Sequence, residues 1–275
     1  MKEYLTASKI SYFSIGTGTP IIFLHGLELD KSSTSLFFEP FLNIGGYQRI
    51  YFDLPGMGNS NPIYPATSDH VLELILHTIK KLIGNRPFII YGHSFGGYLA
   101  QAVTKKLPKQ VLGMFLTCPV VTADSSNRII GKHINIFQEK IIPAENKDYF
   151  DDFLKINVII NQQCWQDYKK LIIPGLKKAN TSFIKQLQGK SYQLSFESSL
   201  KTTIYPCPLK IMIGKNDQDV GYQEQLQLIQ NNDNGEVVLL NQTGHNLMID
   251  HPEIVKCHFK LFLAELTITK TQSLR

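Results

Sequence analysis

Several features that would place this 275-residue chain in a specialised class are missing from its sequence. No apolar run approaches the roughly 20 residues that a membrane-spanning helix needs. The opening stretch, MKEYLTASKISYFSIG, lacks the apolar segment of a secretory signal. Internal repeats and low-complexity tracts are also missing. We therefore expect a cytoplasmic protein with no membrane partner.

Cysteine is scarce, and charge is weakly biased. The four cysteines lie far apart without a C-x-x-C pair, which disfavours a zinc site or a redox pair and indicates reduced thiols. The net charge of +5 is scattered in lysine pairs along otherwise helical stretches. Such pairs are typical of solvated helix faces rather than of a nucleic-acid surface. We expect no metal and no nucleic-acid partner.

What the chain does have is an alternation of β-rich and helical patterns. Short apolar runs predict strands at Ile10–Ile15, Ile21–His25, Arg49–Asp53, Phe88–Gly92, Val111–Thr117, Leu209–Gly214 and Glu236–Leu240. Helical stripes lie between them, and Pro252 fits the first turn of the last helix with Asp250 as its cap. This alternation predicts an α/β fold, with a mostly parallel sheet flanked by helices.

Residues 119–206 interrupt the alternation. They show helical stripes, among them Phe150, Phe153, Trp165 and Tyr168, and no convincing buried strand. We expect a core built from residues 1–118 and 207–275, and a helical cap over the carboxyl ends of the strands.

One turn carries a serine where glycine, asparagine or aspartate would be usual. The stretch GHSFG places Ser94 between a predicted strand and a predicted helix, as a G-x-S-x-G motif. The pentapeptide alone is weakly specific, but this context is that of a nucleophile elbow, which exposes a serine hydroxyl. Because a serine hydroxyl is a poor nucleophile at neutral pH, it needs a base and a group that orients the base.

Two later strand ends can supply these groups. His245 follows the last predicted strand in a turn-rich loop and is our candidate general base. Asp217 and Asp219 both follow the strand Leu209–Gly214. We prefer Asp217 as the orienting acid because it stands closer to the strand end, with Asp219 as the alternative.

The remaining candidates concern the oxyanion and the pocket. The backbone N–H of Phe95, after the nucleophile, and that of Leu27, after the strand Ile21–His25, are the expected oxyanion donors. Glu28, beside Leu27, and His93, beside Ser94, are candidate pocket residues, and Trp165 is a third from the helical segment.

These motifs together resemble the α/β-hydrolase superfamily. Beyond the serine turn, the motifs are His25-Gly26, Asp53-x-Pro-Gly-x-Gly-x-Ser60, Gly214-x-x-Asp217 and Gly244-His245, in the family's order. The resemblance implies an eight-stranded sheet, a cap inserted after the sixth strand and no cofactor or metal. A serine nucleophile disfavours the dehalogenase and epoxide-hydrolase branches, and HGLELD differs from the oxyanion loops of many lipases and of proline iminopeptidases.

We therefore expect a serine hydrolase that cleaves a small-molecule ester, thioester or lactone through an acyl-enzyme, in the manner of a carboxylesterase. The alternatives are a carbon–carbon bond hydrolase or an acyltransferase of the same fold, or a weakly catalytic ligand-binding receptor. The expected partner is a small acyl substrate. The sequence does not indicate an oligomeric state.

Overall fold

The computed structural model describes residues 3–5, 10–42, 45–143 and 145–272. Its strands are β1 (Tyr4–Leu5), β2 (Ser11–Ile15), β3 (Thr19–Leu24), β4 (Tyr47–Phe52), β5 (Phe88–His93), β6 (Val111–Thr117), β7 (Ile136–Phe137), β8 (Ile159–Ile160), β9 (Leu209–Gly214) and β10 (Gly235–Leu240). Eight of them form one sheet in the order β1-β2-β4-β3-β5-β6-β9-β10. The pairs β1–β2 and β2–β4 are antiparallel, and the other pairs of this sheet are parallel.

The α/β fold with a mostly parallel sheet is therefore confirmed, and each predicted strand has a counterpart in the sheet. Strand β1 escaped prediction because two residues are too few to show an alternation. Its partner β2 pairs on the other side with β4, which leaves β1 at the edge of the sheet.

Helices flank the sheet. They are α1 (Lys31–Phe38), α2 (Ser68–Ile83), α3 (Phe95–Lys106), α4 (Phe150–Ile156), α5 (Gln162–Leu171), α6 (Ile173–Lys178), α7 (Thr181–Leu187), α8 (Glu197–Lys201), α9 (Gln223–Gln230), α10 (Leu247–Asp250) and α11 (Pro252–Gln272). Helix α2 shows why such segments are helical. The Thr67 side chain accepts the N–H of His70 at its start, and Val71 and Ile75 are buried on one face. Within the described residues, no helix combines the length and the apolar character that crossing a membrane requires.

Residues 119–206 are mainly helical, as predicted, and include α4 to α8. The expectation that they contain no strand is wrong, because β7 and β8 pair in parallel as a second, two-stranded sheet. Two-residue strands leave no periodic signal in the sequence. Helix α6 packs closely on the loop after β3, since a Cβ on Gly175 would lie 2.6 Å from Cα of Leu29. The description of this segment as a separate cap domain stays a prediction.

An aromatic core holds the central strands against the helices. The ring of Phe23 on β3 lies 5.0 Å from that of Phe38 on α1 and 5.6 Å from that of Tyr91 on β5, and the ring of Phe259 on α11 lies 4.7 Å from that of Phe38. These side chains are fully buried. Because neighbouring parallel strands end at one edge of a sheet, the loops after β3, β5, β9 and β10 meet there.

One local prediction is wrong. Pro252 does begin α11, but Asp250 ends α10, and its carboxylate bonds away from α11. Its Oδ2 accepts the N–H of Gly244 at 2.8 Å, and its Oδ1 accepts the N–H of Ile159 at 3.0 Å. Asp250 therefore links the loop after β10 to β8.

Candidate active site

Ser94 occupies a strained turn between β5 and α3. Its φ of 52° and ψ of −117° lie in a region that side chains rarely adopt. A Cβ on Gly92 would stand 2.5 Å from the carbonyl oxygen of Gly96, and one on Gly96 would stand 2.3 Å from that of Leu24. The two glycines of the motif are therefore required by close backbone approach, as the elbow interpretation expects.

Two backbone N–H groups beside Ser94 are unused. Phe95 is the first residue of α3, so its N–H has no acceptor within the helix. Leu27 lies in the loop after β3, between the strand and α1. Within the described part of the chain, neither N–H donates a hydrogen bond to another protein group. Both are free to donate to a bound oxygen.

His25 holds the loop that carries Leu27. Its Nε2 accepts the N–H of Leu54 at 2.9 Å, so the ring proton is on Nδ1, which donates to the carbonyl oxygen of Gly26 at 2.7 Å. Burial lowers the pKa of His25 and keeps the ring neutral. The His-Gly motif therefore has a structural role, since it positions the loop after β3.

The stretch that begins at Asp53 is also structural. Oδ1 of Asp53 accepts the N–H of Lys31 at 2.7 Å, and Oδ2 accepts the N–H of Asn59 at 2.8 Å and lies 2.5 Å from Nζ of Lys31. The Ser60 hydroxyl donates to the carbonyl oxygen of Asp53 at 2.7 Å. These bonds fix the loop after β4 to the start of α1.

Asp217 and His245 are joined across the ends of β9 and β10. Nδ1 of His245 donates to Oδ2 of Asp217 at 2.8 Å, while Oδ1 of Asp217 accepts the N–H groups of Asp219 at 2.8 Å and Val220 at 3.0 Å. Burial acts to raise the pKa of Asp217, but the His245 charge and these hydrogen bonds outweigh it and lower the pKa. Asp217 is therefore ionised, and it fixes the orientation and the tautomer of the imidazole.

Asp219 faces the other nitrogen of the same ring. Its Oδ2 lies 3.5 Å from Nε2 of His245, and its side chain is 51% exposed. Burial acts to lower the pKa of His245, but the charges of Asp217 and Asp219 together raise it to about 9. The two carboxylates that the sequence left as alternatives thus bind the same imidazole from opposite sides.

Ser94 lines a cavity of about 530 Å³ with Leu27 and Asp219. Within the described residues, no hydrogen bond joins the Ser94 hydroxyl to His245 or to another protein group. Catalytic hydrogen bonds are often long in a ligand-free site and shorten when substrate binds. The wall is mixed: Leu27, Val120 and Ala123 contribute apolar surface, and Arg128, Lys190 and Gln193 contribute polar groups.

The three predicted pocket residues are not in this wall. Trp165 is buried, with its ring 5.3 Å from that of Phe153 and 5.8 Å from that of Tyr168, because a large apolar ring is more stable packed among other aromatic rings than exposed to solvent. His93 is buried with Nδ1 3.1 Å from the carbonyl oxygen of Thr117. Burial, and then the nearby His245, lower its pKa to about 3, so it stays neutral.

Glu28 also lies outside the wall, half-buried, with φ of 61°. Burial, followed by the charges of Asp152 and Asp219, raises the pKa of its carboxyl group. Sequence reasoning missed Arg128, Lys190 and Tyr192, which do line the cavity. A signal existed for Arg128, because it is the single arginine of residues 119–206, a segment otherwise rich in lysine.

One set of potential metal ligands coincides with this site. The donor atoms of Cys118, Asp217 and His245 lie within 4.8 Å of one another. Burial, and then the charge of Asp217, raise the pKa of the Cys118 thiol, which keeps it protonated. A metal would need the thiolate and would displace the hydrogen bond between His245 and Asp217. The set therefore fits a hydrogen-bonded cluster better than a metal centre.

Comparison with known proteins agrees with this architecture. The profile of the alpha/beta hydrolase family matches residues 21–256. The crystal structure of an alpha/beta superfamily hydrolase from Oenococcus oeni PSU-1 is 65% identical, covers 97% of this chain and 100% of that one, and superposes with a TM-score of 0.95.

Two curated proteins are similar over shorter stretches. The pimeloyl-[acyl-carrier protein] methyl ester esterase of Shewanella woodyi is 31% identical over 39% of this chain and 39% of its own length. The monoacylglycerol lipase ABHD6 of Bos taurus is 23% identical over 62% of this chain and 52% of its own length. The matches thus span about half or less of these curated relatives. The family match covers most of the chain, the sheet has eight strands, and a solved hydrolase aligns with nearly the whole chain. The chain therefore belongs to the alpha/beta hydrolase family.

Proposed function

We propose that the protein is a serine hydrolase that cleaves a small-molecule ester through an acyl-enzyme, with Ser94 as nucleophile, His245 as general base and Asp217 as orienting acid. The observation that carries the proposal is the 2.8 Å hydrogen bond from His245 Nδ1 to the buried Asp217, at the end of the sheet where Ser94 lines the cavity. A receptor has no physical need for such an oriented imidazole.

The first half-reaction follows from these groups. Ser94 Oγ attacks the acyl carbon while His245 Nε2 takes the hydroxyl proton, and Asp217 remains ionised beside the imidazolium. The carbonyl oxygen becomes an oxyanion that accepts the free N–H groups of Leu27 and Phe95. The ester C–O bond then breaks, and His245 returns the proton to the leaving alcohol.

Water completes the cycle. His245 removes a proton from a water molecule, the oxygen attacks the acyl-serine, and the proton passes back to Ser94 as the acid leaves. His245 must be neutral to accept each proton, so the rate rises with pH through the pKa of His245. A cavity of about 530 Å³ is of the size that binds small molecules.

The choice of an ester rests on chemistry and similarity. The two curated relatives are named for the cleavage of a methyl ester and of monoacylglycerol. The same acyl-enzyme also forms from a thioester or a lactone, and the acceptor could be an alcohol instead of water. A cytoplasmic location stays a prediction.

The test combines labelling with turnover. We expect a fluorophosphonate to label Ser94, as mapped by mass spectrometry, and 4-nitrophenyl acetate to be hydrolysed. Ser94→Ala should abolish labelling and reduce kcat on the order of 10⁴-fold or more. Ser182→Ala is the matched control, since Ser182 is exposed on α7.

Each alternative has its own result. Labelling at another residue, or full activity in Ser94→Ala, would exclude the proposed nucleophile. Tight ligand binding without turnover would indicate a receptor. An ester as the main product when an alcohol is added would indicate acyl transfer, and cleavage of a diketone but of no ester would indicate carbon–carbon hydrolysis.

A further inference from the structure

Arg128 places a positive charge in the cavity wall and is held there by backbone oxygens. Its Nε donates to the carbonyl oxygen of Thr122 at 2.8 Å, Nη2 to that of Ala123 at 3.0 Å and Nη1 to that of Asp219 at 3.0 Å. These bonds use three of the five N–H groups of a guanidinium. The side chain is half-buried and lines the same cavity as Ser94.

Arg128 forms no ion pair with a carboxylate of the described residues. Among the described residues, no carboxylate oxygen lies within 4.0 Å of the guanidinium. Asp124 is near enough for Arg128 to contribute to lowering its pKa, but its oxygens accept the backbone N–H and hydroxyl of Ser126 and the amide of Asn127. The Asp219 carboxylate faces His245 instead. A partly buried cation bonded only to neutral oxygens retains the capacity to bind an anion.

Two neighbours extend this positive and hydrogen-bonding surface. Tyr192 lines the cavity beside Arg128, close enough for the guanidinium to act on its pKa. Lys190 lines the same wall, is exposed, and forms no ion pair within the part of the chain that the structure describes. Arg128 is also close enough to His245 to act on its pKa. One small substrate can therefore contact Arg128 at one end and the reacting groups at the other.

We propose that the acyl ester cleaved by this protein carries a carboxylate group remote from the ester bond, and that Arg128 binds this carboxylate. The proposal rests on the proposed function, because it concerns the same cavity. A singly charged carboxylate fits better than a phosphate dianion, since Asp124 and Asp219 in the same wall repel a second negative charge. The planar guanidinium also matches the geometry of a carboxylate.

The test uses two esters that differ in one charge. The 4-nitrophenyl half-ester of adipic acid carries a free carboxylate, and the 4-nitrophenyl ester of adipamic acid carries a neutral amide of the same size. We expect wild-type kcat/KM to favour the carboxylate ester. In Arg128→Gln the ratio of kcat/KM for the carboxylate ester to that for the amide ester should fall about tenfold to a hundredfold, as expected for the loss of a hydrogen bond to a charged group. An effect of the variant on the pKa of His245 changes both rates alike and leaves this ratio unaffected. Ser94→Ala supplies the background rate.

Two further variants separate charge from structure. Arg128→Lys keeps the charge without the planar fork, and should retain part of the preference. Arg86→Gln makes the same change of charge in the loop before β5, at the opposite edge of the sheet, and should leave the preference intact. Thermal unfolding of each variant checks the fold. If neither Arg128 variant folds, the ratio of wild-type inhibition by singly charged adipamate to that by neutral adipamide decides.

Several outcomes would overturn the inference. They are equal wild-type kcat/KM for the two esters, an equal loss for both esters in Arg128→Gln, or equal inhibition by adipamate and adipamide. Failure of the proposed function looks different, because neither ester would then be cleaved. Calorimetric binding of adipamate to Ser94→Ala, weakened by the additional Arg128→Gln change, would still support the carboxylate site.

Discussion

At the scale of single residues, His245 lies between two carboxylates that have different roles. Asp217 is buried and bonds Nδ1, whereas Asp219 is half-exposed and faces Nε2, the nitrogen that accepts the Ser94 proton in the proposed mechanism. Both carboxylates stabilise the imidazolium and contribute to a pKa of about 9. We therefore expect the acid limb of the kcat/KM profile to lie near pH 9.

The amide variants at Asp219 and Asp217 should affect different quantities, namely the pH dependence of the rate and kcat itself. Asp219→Asn removes one attraction for the ring proton, so the acid limb should move to lower pH while kcat at high pH is retained. Asp217→Asn should instead reduce kcat roughly 10⁴-fold at every pH, because the tautomer is no longer held. The measurement is a pH–rate profile of each variant. The opposite pattern, with Asp219→Asn damaging and Asp217→Asn mild, would make Asp219 the orienting acid.

At the scale of elements, one carboxylate connects the loop of the proposed general base, His245, to residues 119–206. Asp250 accepts the N–H groups of Val158, Ile159 and Gly244, and Gly244 precedes His245. In Asp250→Asn, an NH2 group replaces one accepting oxygen, so that a donor faces buried backbone N–H donors and at least one of them loses its acceptor. We expect a loss of about 1–3 kcal/mol in the free energy of unfolding, measured in urea, and a reduced kcat.

Asp233→Asn is the matched control for this prediction, because Asp233 is exposed in the turn before β10. Unchanged stability and kcat in Asp250→Asn would show that the three N–H groups find other acceptors.

The strands and the serine turn could be predicted from the sequence, whereas the residues of the cavity wall could not. The strands that enclose the core and the Gly92–Gly96 elbow were predictable, because burial and backbone sterics leave strong local patterns. The pairing of Asp217 with His245 followed from two strand ends that meet at one sheet edge. Composition singles out Arg128 as the one arginine of residues 119–206, but its place in the cavity wall could not be predicted, since that place depends on three carbonyl oxygens brought together by the fold. Trp165 was predicted in the pocket and lies buried against Phe153 and Tyr168, because an apolar stripe does not reveal which neighbours cover it.

At the scale of the whole molecule, the Asp217–His245 pair couples stability to pH. The folded pKa of His245, about 9, is above its ordinary value of about 6.5, so protonation favours the folded state. This contribution is complete below about pH 6.5 and is lost as pH rises through 9. We expect the Tm advantage of the wild type over His245→Asn to be larger at pH 6 than at pH 9.5. A difference that is constant or grows with pH would contradict the raised pKa.

Two attachments at separate places on the site restrict how substrate can enter. Helix α6 packs against Leu29, two residues after the proposed oxyanion donor Leu27, and β8 is bonded through Asp250 to the loop that carries His245. A rigid-body hinge motion of residues 119–206 would thus displace both the proposed oxyanion donor, Leu27, and the imidazole of His245. We expect substrate to enter and product to leave past Gln188, Lys190 and Gln193, which line the cavity. Their side chains are exposed and can change rotamer without moving Ser94 or His245.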